Sequence, residues 1–212
     1  RRLYARGRAS EAPARLMEER PPIIPAPVEP SRTTQISVVD AEGNAASLTA
    51  STGAGSGVVV PGTGIHMNNM LGEHHLNLAR RRRRPGGRLT SMMAPSVVLQ
   101  DGQPRIVVGS AGSARLRGAI LQIVVNALGH GLPLEEAITA PRVHLEDGHV
   151  HCEGGHDPAV LDELDRRGYD VVRWRRRNLY FGGAAAVEMR ADGTLAAAGD
   201  PRRGGHGIVV DG

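Results

Sequence analysis

The chain has 212 residues, 40% of them hydrophobic, enough for one domain or for a domain with a tail. Only 2% are aromatic, so a core has to be built from Val, Ile, Leu and Ala. The net charge is +4 and every fixed cation is an arginine; the runs Arg80–Arg84 and Arg175–Arg177 lack interleaved aromatics, which points to solvated or partner-facing loops and away from a nucleic-acid site.

Residues 1–32 are polar and then proline-rich, through Pro21-Pro22-Ile23-Ile24-Pro25-Ala26-Pro27-Val28-Glu29-Pro30. Repeated prolines fix φ and remove backbone donors, so this stretch is expected to be an extended tail or linker. A short helix is conceivable over Glu11–Glu19. The start, Arg1-Arg2-Leu3-Tyr4, has no apolar h-region and reads as a fragment boundary, not a signal peptide. No apolar run approaches the ~20 residues that a membrane span needs.

At Thr33 the texture changes. Gln35–Val39 and Ala45–Ala50 flank Asp40-Ala41-Glu42-Gly43-Asn44 and predict a β-hairpin. The glycine-rich loop Gly53-Ala54-Gly55-Ser56-Gly57 follows, then the apolar run Val58–Val60. A second hairpin is expected at Ser96–Leu99 and Arg105–Val108.

Ala114–Leu128 predicts a helix with Leu116, Ile120, Leu121, Val124, Val125 and Leu128 on one broad face, stopped by Gly129. Pro133–Ala140 suggests a short helix. A further helix is punctuated by Asp157 as N-cap, Pro158 at the first position and Gly168 beyond its end. Strands return at Asp170–Trp174, Ala184–Met189 and Leu195–Ala198. Strands, then helices, then strands imply sheet layers with helices outside, not an alternating parallel wind.

Cys152 is the single cysteine, so no disulfide can form within the chain. Among the nine histidines, His74-His75 and the group His149, His151, Cys152 and His156 look superficially ligand-like. None has zinc-site spacing, and surface-loop histidines are the expectation, with no metal and no cofactor.

The stretch Thr33–Ala45 (TTQISVVDAEGNA) resembles the start of the small subunit of γ-glutamyltranspeptidases. Further similar stretches occur in the same order: Gly57–Asn69 (GVVVPGTGIHMNN), Arg88–Pro95 (RLTSMMAP), Val108–Arg115 (VGSAGSAR), Tyr180-Phe181-Gly182-Gly183 and Gly199-Asp200-Pro201-Arg202. The resemblance implies an N-terminal-nucleophile hydrolase fold, an α+β four-layer αββα sandwich of which this is the carboxy-terminal portion. It further implies a precursor that cuts itself between Arg32 and Thr33. Residues 1–32 would then end the large subunit, and 33–212 would form the small-subunit catalytic region, partnered by that large subunit.

A threonine that opens a strand is ordinary, and the dipeptide Thr33-Thr34 by itself says no more. In the matched context the resemblance makes Thr33 the nucleophile and its own freed α-amino group the base. It makes the backbone N–H groups of Gly112 and Ser113 the oxyanion donors, with serine replacing the family's second glycine. Ser51 aligns with a threonine whose hydroxyl contacts the nucleophile. Gly53 stands where the family has an asparagine, in a shortened loop.

For substrate, the resemblance assigns Thr90 and Ser91 to the α-carboxylate of a γ-glutamyl group. The segment from Asn69 to Glu73 is assigned to its α-ammonium; Met70 replaces a polar amide, and Glu73 replaces aspartate. The implied activity is hydrolysis or transfer of glutathione-like γ-glutamyl amides to water or an amine. The alternatives are a cephalosporin-acylase-like enzyme acting on another acyl group, or an inactive remnant lacking most of the large subunit. Family members are often periplasmic or secreted, and this stretch assigns no compartment.

Overall fold

The computed structural model describes residues 33–72 and 86–210, all within one compact unit, Ser31–Gly212. The expectations for residues 1–32, Glu73, His74-His75 and Arg80–Arg84 lie outside the described residues.

Strands β1 (Thr33–Val39) and β2 (Ala45–Ser51) form the first expected hairpin, in register from Val39↔Ala45 to Thr33↔Ser51. Asp40 builds its turn. One carboxylate oxygen accepts from Glu42 N at 3.0 Å and Asn44 N at 2.8 Å, and the Asn44 side chain reaches the other at 2.8 Å. These bonds, that of the Asn44 side chain foremost, hold the Asp40 carboxyl below the usual carboxylate range.

Strands β3 (Ser96–Gln100), β4 (Gln103–Ala111), β8 (Gly183–Met189) and β9 (Leu195–Gly199) make a four-stranded antiparallel sheet in the order β3-β4-β8-β9. Side chains alternate across it. Ile106, Val108, Ala184, Ala186 and Ala198 bury one face against helices α1 (Leu116–Val124) and α2 (Leu134–Thr139). The opposite face lies under the β1–β2 hairpin, so closely that a Cβ on Gly109 would sit 2.1 Å from the Gln35 side-chain oxygen. Hairpin, sheet and helices therefore stack as β, β and α layers, in agreement with the expected sandwich.

The helix over Ala114–Leu128 is present but composite. A 3-10 turn at Ser113–Arg115 leads into α1, which ends in a π turn at Val125–Gly129. Its buried side is Leu116, Ala119, Ile120, Ile123 and Ala127; Leu121, Val125 and Leu128 face solvent, which corrects the expected face. The apolar stripe is wider than any one face, and the small Ala119 and Ala127 are the positions that approach the sheet. Period alone could not choose between the two sides.

A smaller sheet was only partly foreseen: β5 (Val143–Glu146), β6 (His149–Cys152) and β7 (Asp170–Arg173). β6 runs through helix α3 (Pro158–Arg166) to its parallel neighbour β7, the one parallel pair among the described strands. Asp157 caps α3 as expected, accepting from Ala159 N at 2.9 Å. His149 and His151 stand on β6, not on a surface loop as expected. Their alternation with buried Val150 and Cys152 was the overlooked strand signal. The Gln122 amide ties this sheet to α1 by bonding both Val143 N (2.9 Å) and Val143 O (3.0 Å).

Candidate active site

Thr33 and Ser51 close the open end of the hairpin, and strand alternation turns both toward the β4–β8 sheet with Gln35, Ser37, Ser47 and Thr49. Their hydroxyl oxygens are 2.9 Å apart. Ser51 Oγ also accepts from Gly53 N at 3.0 Å, which fixes its position while leaving a proton or lone pair for Thr33. Gly53, which has no side-chain amide to offer, contributes through its backbone.

Asn69 braces the same loop. Its Oδ1 accepts from Ala54 N at 3.0 Å, and its N–H donates to Thr52 O at 3.2 Å. The Thr52 hydroxyl is buried without a partner among the described residues.

The layer between hairpin and sheet holds buried Val107 together with a set of polar side chains. Ser37 Oγ donates to Ala185 O at 2.9 Å, Ser47 Oγ to Val108 O at 3.0 Å, and Thr49 Oγ1 to Gln35 Oε1 at 2.5 Å. Gln35 thus sits over Gly109, three residues before Gly112, and seats the Thr33 strand on β4.

Gly112 and Ser113 form the turn from β4 into the helix. Gly112 has φ 131° and is buried, and a Cβ there would lie 2.6 Å from Gly182 Cα; only glycine fits. Ser113 takes the left-handed conformation, φ 56°, which costs a non-glycine residue about 1 kcal/mol and is the geometry the replaced glycine would need. Gly112 O accepts from Arg115 N at 3.1 Å, while the amides of Gly112 and Ser113 donate no hydrogen bond among the described residues. Two adjacent unpaired N–H groups at a helix entry are suited to an anion.

Thr90 and Ser91 are exposed on the extended segment that enters β3, which Met92 and Met93 anchor against the core. Ser91 Oγ accepts from Met93 N at 3.0 Å. The structure therefore joins Thr33, Ser51, Gly53 and Asn69 through the hairpin and its loop, while Thr90–Ser91 and Gly112–Ser113 stand on two further segments.

Residues to which sequence reasoning gave no role hold this frame. Arg142 donates to Asp200 Oδ2 at 2.6 Å, Ile138 O at 2.9 Å and Phe181 O at 3.0 Å. Arg202 pairs with Glu153 and bonds Ile138 O and Ala140 O, at 3.0 and 2.8 Å. Asp200 Oδ2 also accepts from Ala184 N at 3.1 Å. Burial pulls the Arg142 guanidinium below its ordinary pKa, against the opposing pull of Asp200. The motifs Tyr180–Gly183 and Gly199–Arg202 were visible as similarities; this ion lattice joins them through Arg142, which bonds both Phe181 O and Asp200. Among the described residues no group of three His, Cys, Asp or Glu side chains could hold a metal ion.

A profile of the family Gamma-glutamyltranspeptidase matches residues 6–210. The chain is 35% identical over 192 residues to the Acylase ACY 1 proenzyme of Pseudomonas sp. (strain SE83), covering 87% of this chain and 33% of that protein. It is 32% identical over 196 residues to the glutathione hydrolase proenzyme of Escherichia coli (strain K12), covering 84% and 32%. It thus spans about a third of the length of the curated relatives it matches. Among solved structures, the gamma-glutamyltranspeptidase from Pseudomonas nitroreducens complexed with L-DON superposes with a TM-score of 0.72 at 32% identity, covering 84% of this chain and 100% of that one. The cephalosporin acylase from Bacillus halodurans gives 0.69 at 28%, covering 78% and 32%. With its profile, relatives and sandwich in agreement, the chain belongs to the γ-glutamyltranspeptidase family of N-terminal-nucleophile hydrolases.

Proposed function

We propose that this chain carries the nucleophile of a γ-glutamyl hydrolase or transferase acting on glutathione-like amides. The observation that carries the reading is the 2.9 Å contact between the hydroxyls of Thr33 and Ser51 at the open end of β1. In the precursor, Thr33 Oγ attacks the Arg32 carbonyl carbon, the peptide nitrogen leaves as the Thr33 amine, and water hydrolyses the resulting ester. The amine so freed then takes the hydroxyl proton during attack on substrate. The Gly112 and Ser113 amides receive the oxyanion, each such donor contributing roughly 3–4 kcal/mol to the transition state in hydrolases of this chemistry. The amine leaving group departs, and water or an acceptor amine takes the acyl group from Thr33.

Thr90 and Ser91 are assigned to the substrate α-carboxylate, and Asn69 with Glu73 to its α-ammonium. The names of the two relatives above, both proenzymes, support the maturation step. The outward side of the hairpin shows Ile36, Val38 and Leu48 each at least half exposed, a face fit to be covered by the rest of the precursor.

Turnover of γ-glutamyl-p-nitroanilide and of a glutaryl amide by the full-length precursor product tests the reading. Faster turnover of the γ-glutamyl amide, lost in Thr33→Ala, supports it. Preference for the glutaryl amide would instead favour an acylase, the reading suggested by the 35% identity to ACY 1, Gly53 and Met70.

A further inference from the structure

The Gly112–Ser113 turn is strained, and something must keep it in place. It follows β4 directly, Ser113 is held at φ 56°, and neither amide is tied by a hydrogen bond of its own among the described residues. What does hold it comes from the next residue but one and from across the molecule. Arg115 Nε donates to Tyr180 O at 2.8 Å, and the guanidinium lies 4.5 Å over the centre of the Tyr180 ring. Arg115 N meanwhile closes the turn on Gly112 O at 3.1 Å.

Tyr180 is itself fixed at both ends. Its hydroxyl donates to Glu146 Oε2 at 2.5 Å, and its ring stacks on Trp174 at 4.8 Å between centroids. Glu146 also stands 3.7 Å from Arg115, so carboxylate, phenol and guanidinium form a closed triangle. Two residues beyond Tyr180, Gly182 presses against Gly112 with no room for a side chain on either glycine. The segment Tyr180–Gly182 thus backs the turn by contact, and Arg115 fastens the two together.

We propose that Arg115 and Tyr180 are positioning residues that hold the Gly112 and Ser113 amides where the oxyanion forms. The inference rests on the acyl-transfer reading above. Arginine is the residue for this post: its fork serves a carbonyl and an aromatic face at once, which lysine cannot do. A displacement of the donors by about 1 Å weakens transition-state binding far more than ground-state binding.

The test uses the full-length precursor, with Thr33 titrated by a γ-glutamyl electrophile so that rates are expressed per competent site. Arg115→Ala should lower kcat roughly ten- to a hundredfold with little change in KM. Tyr180→Phe, which keeps ring and carbonyl but loses the tie to Glu146, should lower kcat by a smaller factor. Arg115→Lys should recover only a minor part. Hydrogen exchange at residues 112–115, measured on the same proteins, should quicken in Arg115→Ala and in Tyr180→Phe. Wild-type kcat per site together with unchanged exchange in Arg115→Ala would overturn the proposal. If that variant does not mature, Tyr180→Phe takes its place, and wild-type kcat with unchanged exchange there overturns it equally. A wild type that transfers no acyl group, with exchange still quickened by Arg115→Ala, would sink the acyl-transfer reading and leave the clamp standing.

Discussion

The two faces of the β3-β4-β8-β9 sheet meet partners of different character. Toward the helices lie Ile106, Val108, Ile120, Ile123, Leu134 and Ile138, all apolar and packed. From the hairpin, Gln35, Ser37, Ser47 and Thr49 point at the other face, over buried Val107, each spending its side chain on a hydrogen bond. The first interface is held mainly by area removed from water; the second adds directional bonds, from Ser37 Oγ to Ala185 O and from Ser47 Oγ to Val108 O, that tie the hairpin to the sheet. Under the proposed function, a nucleophile that must meet oxyanion donors on another element is served by the second kind of interface, and Thr33 stands at its edge. The hairpin's apolar residues are consequently turned outward, inverting the usual pattern for a strand pair on a core.

The largest loss expected is in the ion lattice beside the helix-side core. Arg142→Met takes from the buried carboxylate of Asp200 one of its two arginine partners, leaving Arg202 at 3.2 Å, and removes the bond to Phe181 O; it should cost about 3–5 kcal/mol in denaturant unfolding. Ile123→Ala, in the middle of α1, should cost about 2–5 kcal/mol through its cavity. On the hairpin side, Gln35→Ala should cost less, about 1–3 kcal/mol, by leaving the hydroxyls of Ser37, Ser47 and Thr49 without their common partner. Its effect on turnover should nevertheless exceed that of Ile123→Ala among folded molecules. The reverse order in kinetic assays would erase the contrast between the two interfaces.

A smaller, pH-dependent effect sharpens it. The Tyr180 hydroxyl, and then Arg115 and the neighbouring His144 and His151, hold the Glu146 carboxyl below its ordinary value, against partial burial. A lowered folded-state pKa contributes stability that is present above the unfolded value of about 4.3 and is lost as pH falls through the folded value. Glu146→Gln should therefore be less stable than wild type near neutrality, with the gap closing in acid below about pH 4. A gap independent of pH would show that Glu146 acts by packing alone.

Much of this was legible in the residues. The Asp40–Asn44 turn, the strand alternation and the Asp157 cap are local signals, and the hairpins and α3 follow from them. The order of similar stretches gave the sandwich and pointed to Thr33 before any contact was seen. Two features were not legible. The helix face was hidden because Leu121, Val125 and Leu128 are as apolar as the residues actually buried, and only the position of the sheet chooses. The roles of Arg115, Arg142, Tyr180 and Arg202 were hidden because each depends on a partner far off in sequence, 65 residues between Arg115 and Tyr180, 58 between Arg142 and Asp200 and 49 between Arg202 and Glu153, and no local period encodes such pairs.

The central claim is that Thr33 becomes an amino-terminal nucleophile, and peptide mapping by mass spectrometry of the full-length product tests it directly. After incubation with a γ-glutamyl electrophile, the account predicts a subunit beginning at Thr33 that carries the added mass on that residue, and a Thr33→Ala precursor that stays whole and unlabelled. An enzyme that transfers acyl groups while the bond between Arg32 and Thr33 remains intact, or that takes the label on another residue, would contradict it.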